Sequence, residues 1–428
     1  MVDLAPTYRA VWRWHFYAGL IVMPVLMLMA LTGGLYLFKP EIETAVYRQA
    51  IRVQPQAEQA SPDLWVSAAE APTGGKATSV RVPMRPDEAV RVKAGEETVF
   101  VDPHTARVTG RTGGEGMMET VKRLHSLELL GKPFNILVEI VAGWAIILVA
   151  TGVYLWWPRG RDVAVAAPRL SDPKRRPFWR DLHAVTGIWV GGIVVFLAVT
   201  GMPWSAVWGD KFLNVMREGG YGRPAAPAAA NPWSHGKDHD KPAGTGWTME
   251  GAVLHAPGHG QARLSRVIAA AESHGMAGPY TVSIPDDPTL AFTVSRETTK
   301  AEQARSLYVD GRTGAVRADI RWEQFGSGAK AFEWGIAVHQ GLQYGGLNRT
   351  LMLIGCIGVW VLGISGLTMW WKRRPKRGGL GAPPAPVGPR AKTAVMAIVL
   401  PLAALYPLTG LSLVMALGAD AVWRRVRR

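Results

Sequence analysis

Cysteine is nearly missing from this chain of 428 residues: Cys356 is the single copy. That excludes an intramolecular disulfide, a Cys-based zinc or iron–sulfur site, and the C-x-x-C-H attachment of a c-type haem. Charge is also scarce, since Asp, Glu, Lys and Arg together make up 19%, below the roughly 25% of an ordinary soluble chain. No G-x-G-x-x-G fingerprint, P-loop or G-x-S-x-G elbow occurs, so nothing marks a dinucleotide module, a phosphate cradle or a serine hydrolase. What is abundant is apolar: 48% hydrophobic, with 18 Trp and 15 Met. Intrinsic disorder is thereby excluded.

The apolar residues are gathered into runs. Phe16 to Phe38, Ala184 to Gly209, Leu351 to Trp371 and Thr393 to Ala419 carry no charge, and Phe134 to Trp157 is broken only by Glu139. Each is long enough to cross a hydrocarbon core of about 30 Å as a helix. The first is too long, and lacks the small-residue cleavage site, for a removable signal peptide. The fold class expected is an integral membrane α-helical bundle, with spans over 11–38, 134–157, 183–208 and 350–371. A fifth hydrophobic segment, 393–419, either crosses or, with Pro401 and Pro407 breaking it, re-enters.

The net charge of +15 has a telling distribution. Lys and Arg crowd the short segment 158–180 (Arg159, Arg161, Arg169, Lys174, Arg175, Arg176 and Arg180) and the segment 372–391, which opens Lys372-Arg373-Arg374-Pro375-Lys376-Arg377. Arg9 and Arg13 precede the first span. Short basic loops stay cytoplasmic, which places the two long loops, 39–124 and 210–338, outside. The tail Arg424-Arg425-Val426-Arg427-Arg428 conflicts with that rule if the fifth segment crosses fully. Charge set beside spans points to the bilayer rather than to nucleic acid.

The chain also repeats itself. His15 opens the first span and Thr32-Gly33 closes it; His183 and Thr200-Gly201 do the same in the third, and both His-to-Gly intervals are 18. His125 precedes the second span, which ends with Thr151-Gly152 and Trp156-Trp157. His339 precedes the fourth, which ends with Ser365-Gly366 and Trp370-Trp371, and both His-to-Gly intervals are 27. The outer loops share Pro83-x-x-Pro86 and Pro285-x-x-Pro288. They also share an alternating strand entering an Asp turn, at Val99–Asp102 and Leu307–Asp310, with return strands at Arg107-Val108 and Ala315-Val316, which reads as a hairpin. Leu264, Val267, Ile268 and Ala271 have helical spacing ahead of the second hairpin. A helix packed on a small antiparallel sheet is expected in the second loop.

This pattern resembles the PepSY-associated transmembrane helix family. The residues that carry the likeness are Trp14-His15-Phe16-Tyr17-x-Gly19, Leu124-His125, Thr151-Gly152-x-x-x-Trp156-Trp157-Pro158, Leu182-His183-x-x-x-Gly187 and Ser365-Gly366-x-x-x-Trp370-Trp371. The two Val-Asp hairpins resemble PepSY modules, so the architecture implied is two pseudo-repeated halves, each with an external α+β module. The first hairpin departs from the family pattern at Ala106, where Gly is usual. The family includes bacterial inner-membrane ferric-siderophore reductases that carry b-type haem, which implies an oxidoreductase of that kind.

Four histidines then become candidate axial ligands of haem iron. His15 and His183 lie at the inner ends of their spans, and His125 and His339 at the outer ends of theirs. If the halves pack about a two-fold axis along the membrane normal, each pair converges. Two neutral imidazoles on one porphyrin give a six-coordinate centre suited to electron transfer, so two haems b are expected, one near each face. Gly19 and Gly187, four residues after His15 and His183 and on the same helical face, would let a flat macrocycle approach, although small residues equally mark helix–helix contacts. A lone interfacial histidine is commonly structural; the repeated pairs are what favour ligation. No catalytic side chain is assigned.

Other side chains carry weaker signals. His235-x-x-x-His239 and His255-x-x-x-His259 have metal-site spacing, but Gly236, Pro257, Gly258 and Gly260 oppose a helix there. His104 and His274 read as ordinary surface residues. Glu139, as an intramembrane acid, is a functional suspect or, being near the outer boundary, a group that simply reaches water. The inner loops are too short for a flavin or nicotinamide domain, so electrons come from a separate cytoplasmic reductase or from quinol. A ferric siderophore outside is the acceptor that the resemblance implies. Two alternatives stay open: a haem conduit serving another acceptor, and a non-redox membrane protein or transporter whose modules bind peptides or inhibit proteases.

Overall fold

The structure, a computed structural model, describes residues 5–158 (except 115), 172–222 (except 206), 261–374 (except 288 and 289) and 405–426, with isolated positions besides. His235, His239, His255 and His259, the loop residues Arg159, Arg161 and Arg169, and half of 393–404 lie outside the described residues. The chain forms two compact units: a helical unit of 1–37, 121–212 and 346–428, and a sheet unit of 38–120 and 213–345.

Four helices are long and apolar enough to cross a membrane: α1 (Ala5–Tyr36), then, after the short α2 (Lys39–Val46), α3 (Arg48–Ile51), α4 (Pro62–Thr73) and α5 (Met117–His125), α6 (Asn135–Trp156), α7 (Arg176–Gly201) and, last, the helix Gly345–Arg373. All four coincide with the runs expected from sequence. Proline sets two of the ends. Pro158 follows the extended Trp157, where α6 stops, and Pro177 sits in the first turn of α7, where no N–H is needed. More than half of the apolar window of α6 is buried (56%), which makes it the centre of the helical unit. It packs on α1 through Ala18, Val22, Trp144, Ile147 and Leu148.

The sheet unit also holds α8 (Trp208–Glu218), which begins in the helical unit, α9 (Leu264–Ser273) and α10 (Ser327–His339); Gly345–Arg373 is α11 and Pro407–Val426 is α12. Eight strands make one antiparallel sheet: β1 (Ala77–Val82), β2 (Val90–Ala94), β3 (Glu97–Val101), β4 (Val108–Gly113), β5 (Tyr280–Ser283), β6 (Phe292–Arg296), β7 (Arg305–Val309) and β8 (Val316–Arg321). Their order is β4-β3-β2-β1-β5-β6-β7-β8. Two separate small sheets, as the sequence led us to expect, do not form. β1 pairs with β5 in the register Val80↔Val282, so the strand that would be an unpaired edge in each half finds its partner in the other.

Alternation along the strands sends Val80, Val92, Val99, Val282, Val294 and Leu307 to one face, each fully buried with Trp65 and Ala69 of α4 and Val267 and Ala271 of α9. The spacing at Leu264, Val267, Ile268 and Ala271 thus forms the expected helix. Its counterpart α4 was not foreseen, although Ser61-Pro62 opening it and Gly74 (φ 65°) closing it are ordinary boundary signals. On the other face, α10 covers Tyr308, Ala318 and Ile320, and α3 covers Phe100. A bidentate ion pair, Arg81 to Glu297 at 2.8 Å, ties β1 to the residue after β6.

The fifth hydrophobic segment does not run as one helix through the described residues. α12 starts at Pro407, and its apolar part, Pro407–Ala416, is too short to cross. It lies on α6 instead: Trp144 Nε1 donates to Ser412 Oγ at 2.9 Å, Thr409 sits over Gly143, and Leu413 is buried.

Candidate functional site

His15 lies in the first third of α1, facing the end of α6. Its Nδ1 is 2.9 Å from Thr151 Oγ1. The Thr151 hydroxyl has one proton, and it goes to the Ile147 carbonyl four residues back, at 2.7 Å. Towards the imidazole the hydroxyl can therefore only accept, so His15 Nδ1 carries the ring proton and Nε2 keeps its lone pair. The next residue, Gly152, clears the ring: a Cβ there would stand 3.3 Å from His15 Cε1.

The same seat recurs twice. His183 Nδ1 is 3.1 Å from both the Leu362 carbonyl and Ser365 Oγ, and the Ser365 proton goes to Val361 O at 2.6 Å. A carbonyl only accepts, so this ring too is Nδ1–H. Gly366 adjoins it, 3.6 Å from Cε1 to an added Cβ. His125, at the end of α5, places Nδ1 3.0 Å from Thr32 Oγ1, whose proton goes to Leu28 O at 2.8 Å; Gly33 follows, with 3.2 Å to Cε1. The repeated hydroxyl–Gly pairs, useful in the sequence only as spacing marks, are histidine seats. A hydroxyl just before glycine, at a fixed interval from each histidine, was the signal available.

His15 and His183 come together. Their ring centroids are 6.2 Å apart and the planes are nearly perpendicular, at 87°. Both rings, like that of His125, are half-buried, and no Nε2 of the three makes a hydrogen bond among the described residues. Two imidazoles binding one metal from opposite sides, at about 2 Å per metal–nitrogen bond, have centroids roughly 6 Å apart. Metal-bound histidines also characteristically donate the other ring N–H to an oxygen acceptor. The donor set, tautomers and spacing of this pair fit a haem with two axial histidines. His339 ends α10 and is half-buried in the sheet unit, whereas His125 belongs to the helical unit. Thr200, the counterpart of Thr32, donates its hydroxyl to Phe196 O at 2.7 Å in the same way.

Gly19 and Gly187 behave unlike the packing glycines. A Cβ at Gly19 would meet nothing closer than Leu148 Cδ2 at 3.9 Å, and one at Gly187 nothing closer than Leu362 Cδ2 at 3.7 Å. At Gly355 and Gly358 it would lie 2.6 Å from Ile193 and Val190. Close helix approach explains the latter two and not the former.

Two sequence expectations change. Glu139 does not reach water: it is fully buried, its Oε2 accepts the Trp208 N–H at 3.0 Å at the start of α8, and its Oε1 has no partner among the described residues. His104 is no surface residue. Only 8% exposed, it sets Nδ1 3.0 Å from Glu58 O and Nε2 3.1 Å from Pro86 O, which pushes its pKa up. Trp157 and Trp371 are exposed, while the Trp156 Nε1 is buried with no acceptor among the described residues. His274 is exposed as expected. Among the described residues no cluster of three or more His, Cys, Asp or Glu could hold a metal ion, and a two-histidine haem site needs none.

Four apolar helices long enough to span, built into one unit with paired histidines and continuous with a sheet unit, define a polytopic membrane protein. The chain belongs to the family of the PepSY-associated TM region, whose pattern it matches over residues 12–373. No curated protein matches it.

Proposed function

We propose that this protein is a haem b oxidoreductase of the bacterial inner membrane that carries electrons outward to a ferric siderophore. The single observation that supports it most is the His15–His183 pair, with both Nδ1 atoms engaged, both Nε2 atoms unengaged and the centroids 6.2 Å apart. His15 and His183 are the ligands for one haem. His125 and His339 are the ligands for a second, a reading that rests on the matching 27-residue intervals in the sequence and on the seat of His125.

A haem held by two imidazoles supplies a six-coordinate one-electron centre rather than a site for binding small ligands. The chain's part is to fix the rings, keep both Nε2 lone pairs available and exclude water with the apolar walls of α1, α6, α7 and α11. Basic residues at Lys174–Arg176 and Lys372–Arg374 hold those ends in the cytoplasm, where a separate reductase, or quinol in the bilayer, is the donor. The sheet unit, read as two PepSY modules of a duplicated chain joined at β1 and β5, then lies in the periplasm. Reduction of its substrate releases iron because hydroxamate or catecholate oxygens are hard donors that favour Fe(III) over Fe(II).

A pyridine haemochrome spectrum with stoichiometry on detergent-purified protein tests this. Two haems b per chain are expected, with one lost in His15→Ala or His183→Ala and the other in His125→Ala or His339→Ala. Two haems retained in all four variants, or none in the wild type, overturns the assignment. Turnover with ferric siderophores against other acceptors then separates a siderophore reductase from a general conduit.

A further inference from the structure

We infer that Trp156 is a ligand-binding residue, its indole N–H donating to a carboxylate of the group held between His15 and His183, with Arg373 as the counter-charge. This rests on the haem reading and deepens it, because it assigns which edge of the macrocycle faces which end of the bundle.

Trp156 Nε1 is buried and has no acceptor among the described residues. A buried donor left unpaired is costly, so where it lies matters. Trp156 follows Gly152 by four residues, on the same face of α6, and Gly152 is the residue that clears the His15 ring, with 3.3 Å from an added Cβ to Cε1. The orphan N–H therefore belongs one helical turn beyond the histidine seat, on the side of Pro158 and the basic segment after it. Arg373 reaches the same level from the other half of the chain. It follows Gly366, the glycine beside His183, by seven residues, again on one face. Its guanidinium carbon stands 4.7 Å from the Trp12 ring centre and 5.4 Å from that of Phe16, and Trp12 is one turn before His15 in α1.

On the opposite side of the histidine pair the surroundings are hydrocarbon. One turn that way, Gly19 and Gly187 open onto the methyl groups of Leu148 and Leu362. A b-type porphyrin is lopsided in the same sense, with two carboxylates on one edge and hydrocarbon on the others. A carboxylate in a low-dielectric interior needs hydrogen-bond donors or opposite charge, and the edge towards Trp156 and Arg373 has both. The wider charge is arranged the same way. Segments 172–181 and 372–374 hold seven Lys and Arg against Asp172 and Asp181, and Asp181 is paired with Arg180 at 2.8 Å. An unpaired indole is not by itself a ligand site: Trp360 Nε1 is also buried without an acceptor among the described residues, but it packs with Ala30, Val190, Val194 and Val359. Trp360 is therefore the control.

Full-length protein carrying His125→Ala, which keeps only the haem of the His15–His183 site, is titrated in detergent with haem b and with iron etioporphyrin, a macrocycle bearing alkyl groups in place of the carboxylates. Trp156→Phe is expected to weaken haem b about ten-fold or more, as loss of a hydrogen bond to a charged group does. Arg373→Gln should do the same, and it keeps the test open should Trp156→Phe fail to fold. Iron etioporphyrin should bind both variants and their parent equally, and Trp360→Phe should change neither affinity. Ultraviolet resonance Raman difference spectra, parent minus Trp156→Phe, give a second readout. The Trp156 indole is expected to pass from unbonded to hydrogen-bonded when haem b is added, and not when iron etioporphyrin is. Haem b bound as tightly by both variants as by their parent, or an equal penalty with both macrocycles, overturns the inference and leaves the haem reading standing. A wild type that binds neither macrocycle overturns both.

Discussion

Gly19 and Gly187 offer the sharpest test of what occupies the space beside the His15–His183 pair. In the protein itself an added methyl at either position makes only ordinary contact, at 3.9 Å and 3.7 Å from a leucine methyl. Glycine inside a helix is about 1 kcal/mol worse than alanine. Judged by the polypeptide alone, Gly19→Ala and Gly187→Ala should therefore be neutral or stabilising by up to about 1 kcal/mol. If a flat macrocycle lies there, the same methyl overpacks it, at a typical cost of about 1–3 kcal/mol, or roughly five- to more than a hundred-fold in affinity. Leucine at either site excludes it. The assay is haem per chain by pyridine haemochrome, with thermal unfolding of haem-free protein as the control. One of two haems should weaken in the alanine variants and vanish in Gly19→Leu and Gly187→Leu, while the haem-free alanine variants unfold no lower than wild type. Gly358→Ala is the contrasting case, because its methyl would stand 2.6 Å from Val190 and should lower stability with or without haem. Folded Gly19→Leu and Gly187→Leu proteins that both keep two haems would refute the reasoning.

Further expectations concern stability. Ala106 holds φ 54°, the conformation that Gly314 (φ 76°) takes at the same place in the other hairpin, and a left-handed alanine costs about 1–2 kcal/mol; Gly314→Ala should destabilise by about 1 kcal/mol, and Ala106→Gly should stabilise by less, because its methyl also packs on the core. Both are read as shifts in thermal unfolding. His104 donates from both ring nitrogens to carbonyls only when protonated, and its pKa is raised above 6.5 by those two bonds. Its contribution is therefore complete below pH 6.5 and lost as pH climbs through the raised value. The melting-temperature gap between wild type and His104→Ala should narrow from pH 6 to pH 8, and a gap that widens contradicts the assignment. Asp319 is pushed up by burial but pulled down more by hydrogen bonds from Arg305 and Arg321, to about 2. Its contribution should persist above pH 4 and fade only as pH drops toward 2, visible in acid unfolding of wild type against Asp319→Asn. Glu139→Leu strips the acceptor from the first N–H of α8 and should cost about 1–2 kcal/mol, as lost helix caps do, whereas Glu139→Gln keeps an oxygen there and should cost less; equal losses would mean that charge, not the acceptor, matters.

Much of the molecule was legible in the chain. The four spans follow from run length alone, since a helix satisfies its own backbone and needs about 20 apolar residues to cross lipid. The two hairpins, their Asp turns and the α9 face at Leu264, Val267, Ile268 and Ala271 follow from period and turn chemistry, which are local. The candidate histidines came from intervals that survive in linear form, and so did the anomaly at Ala106.

What the linear record left open was everything decided by contact between distant segments. That β1 and β5 pair, making one sheet of eight strands, depends on which edges meet, and edges carry no mark of their partner. Glu139 reads as interfacial until α8 and α12 are packed over it, and His104 reads as exposed until Glu58 and Pro86 close on its two nitrogens. The pairs Thr32-Gly33, Thr151-Gly152 and Ser365-Gly366 showed their purpose only when a histidine from another helix was seen resting on each. A hydrogen bond's direction is set by where a hydroxyl spends its single proton, and that choice exists only in three dimensions.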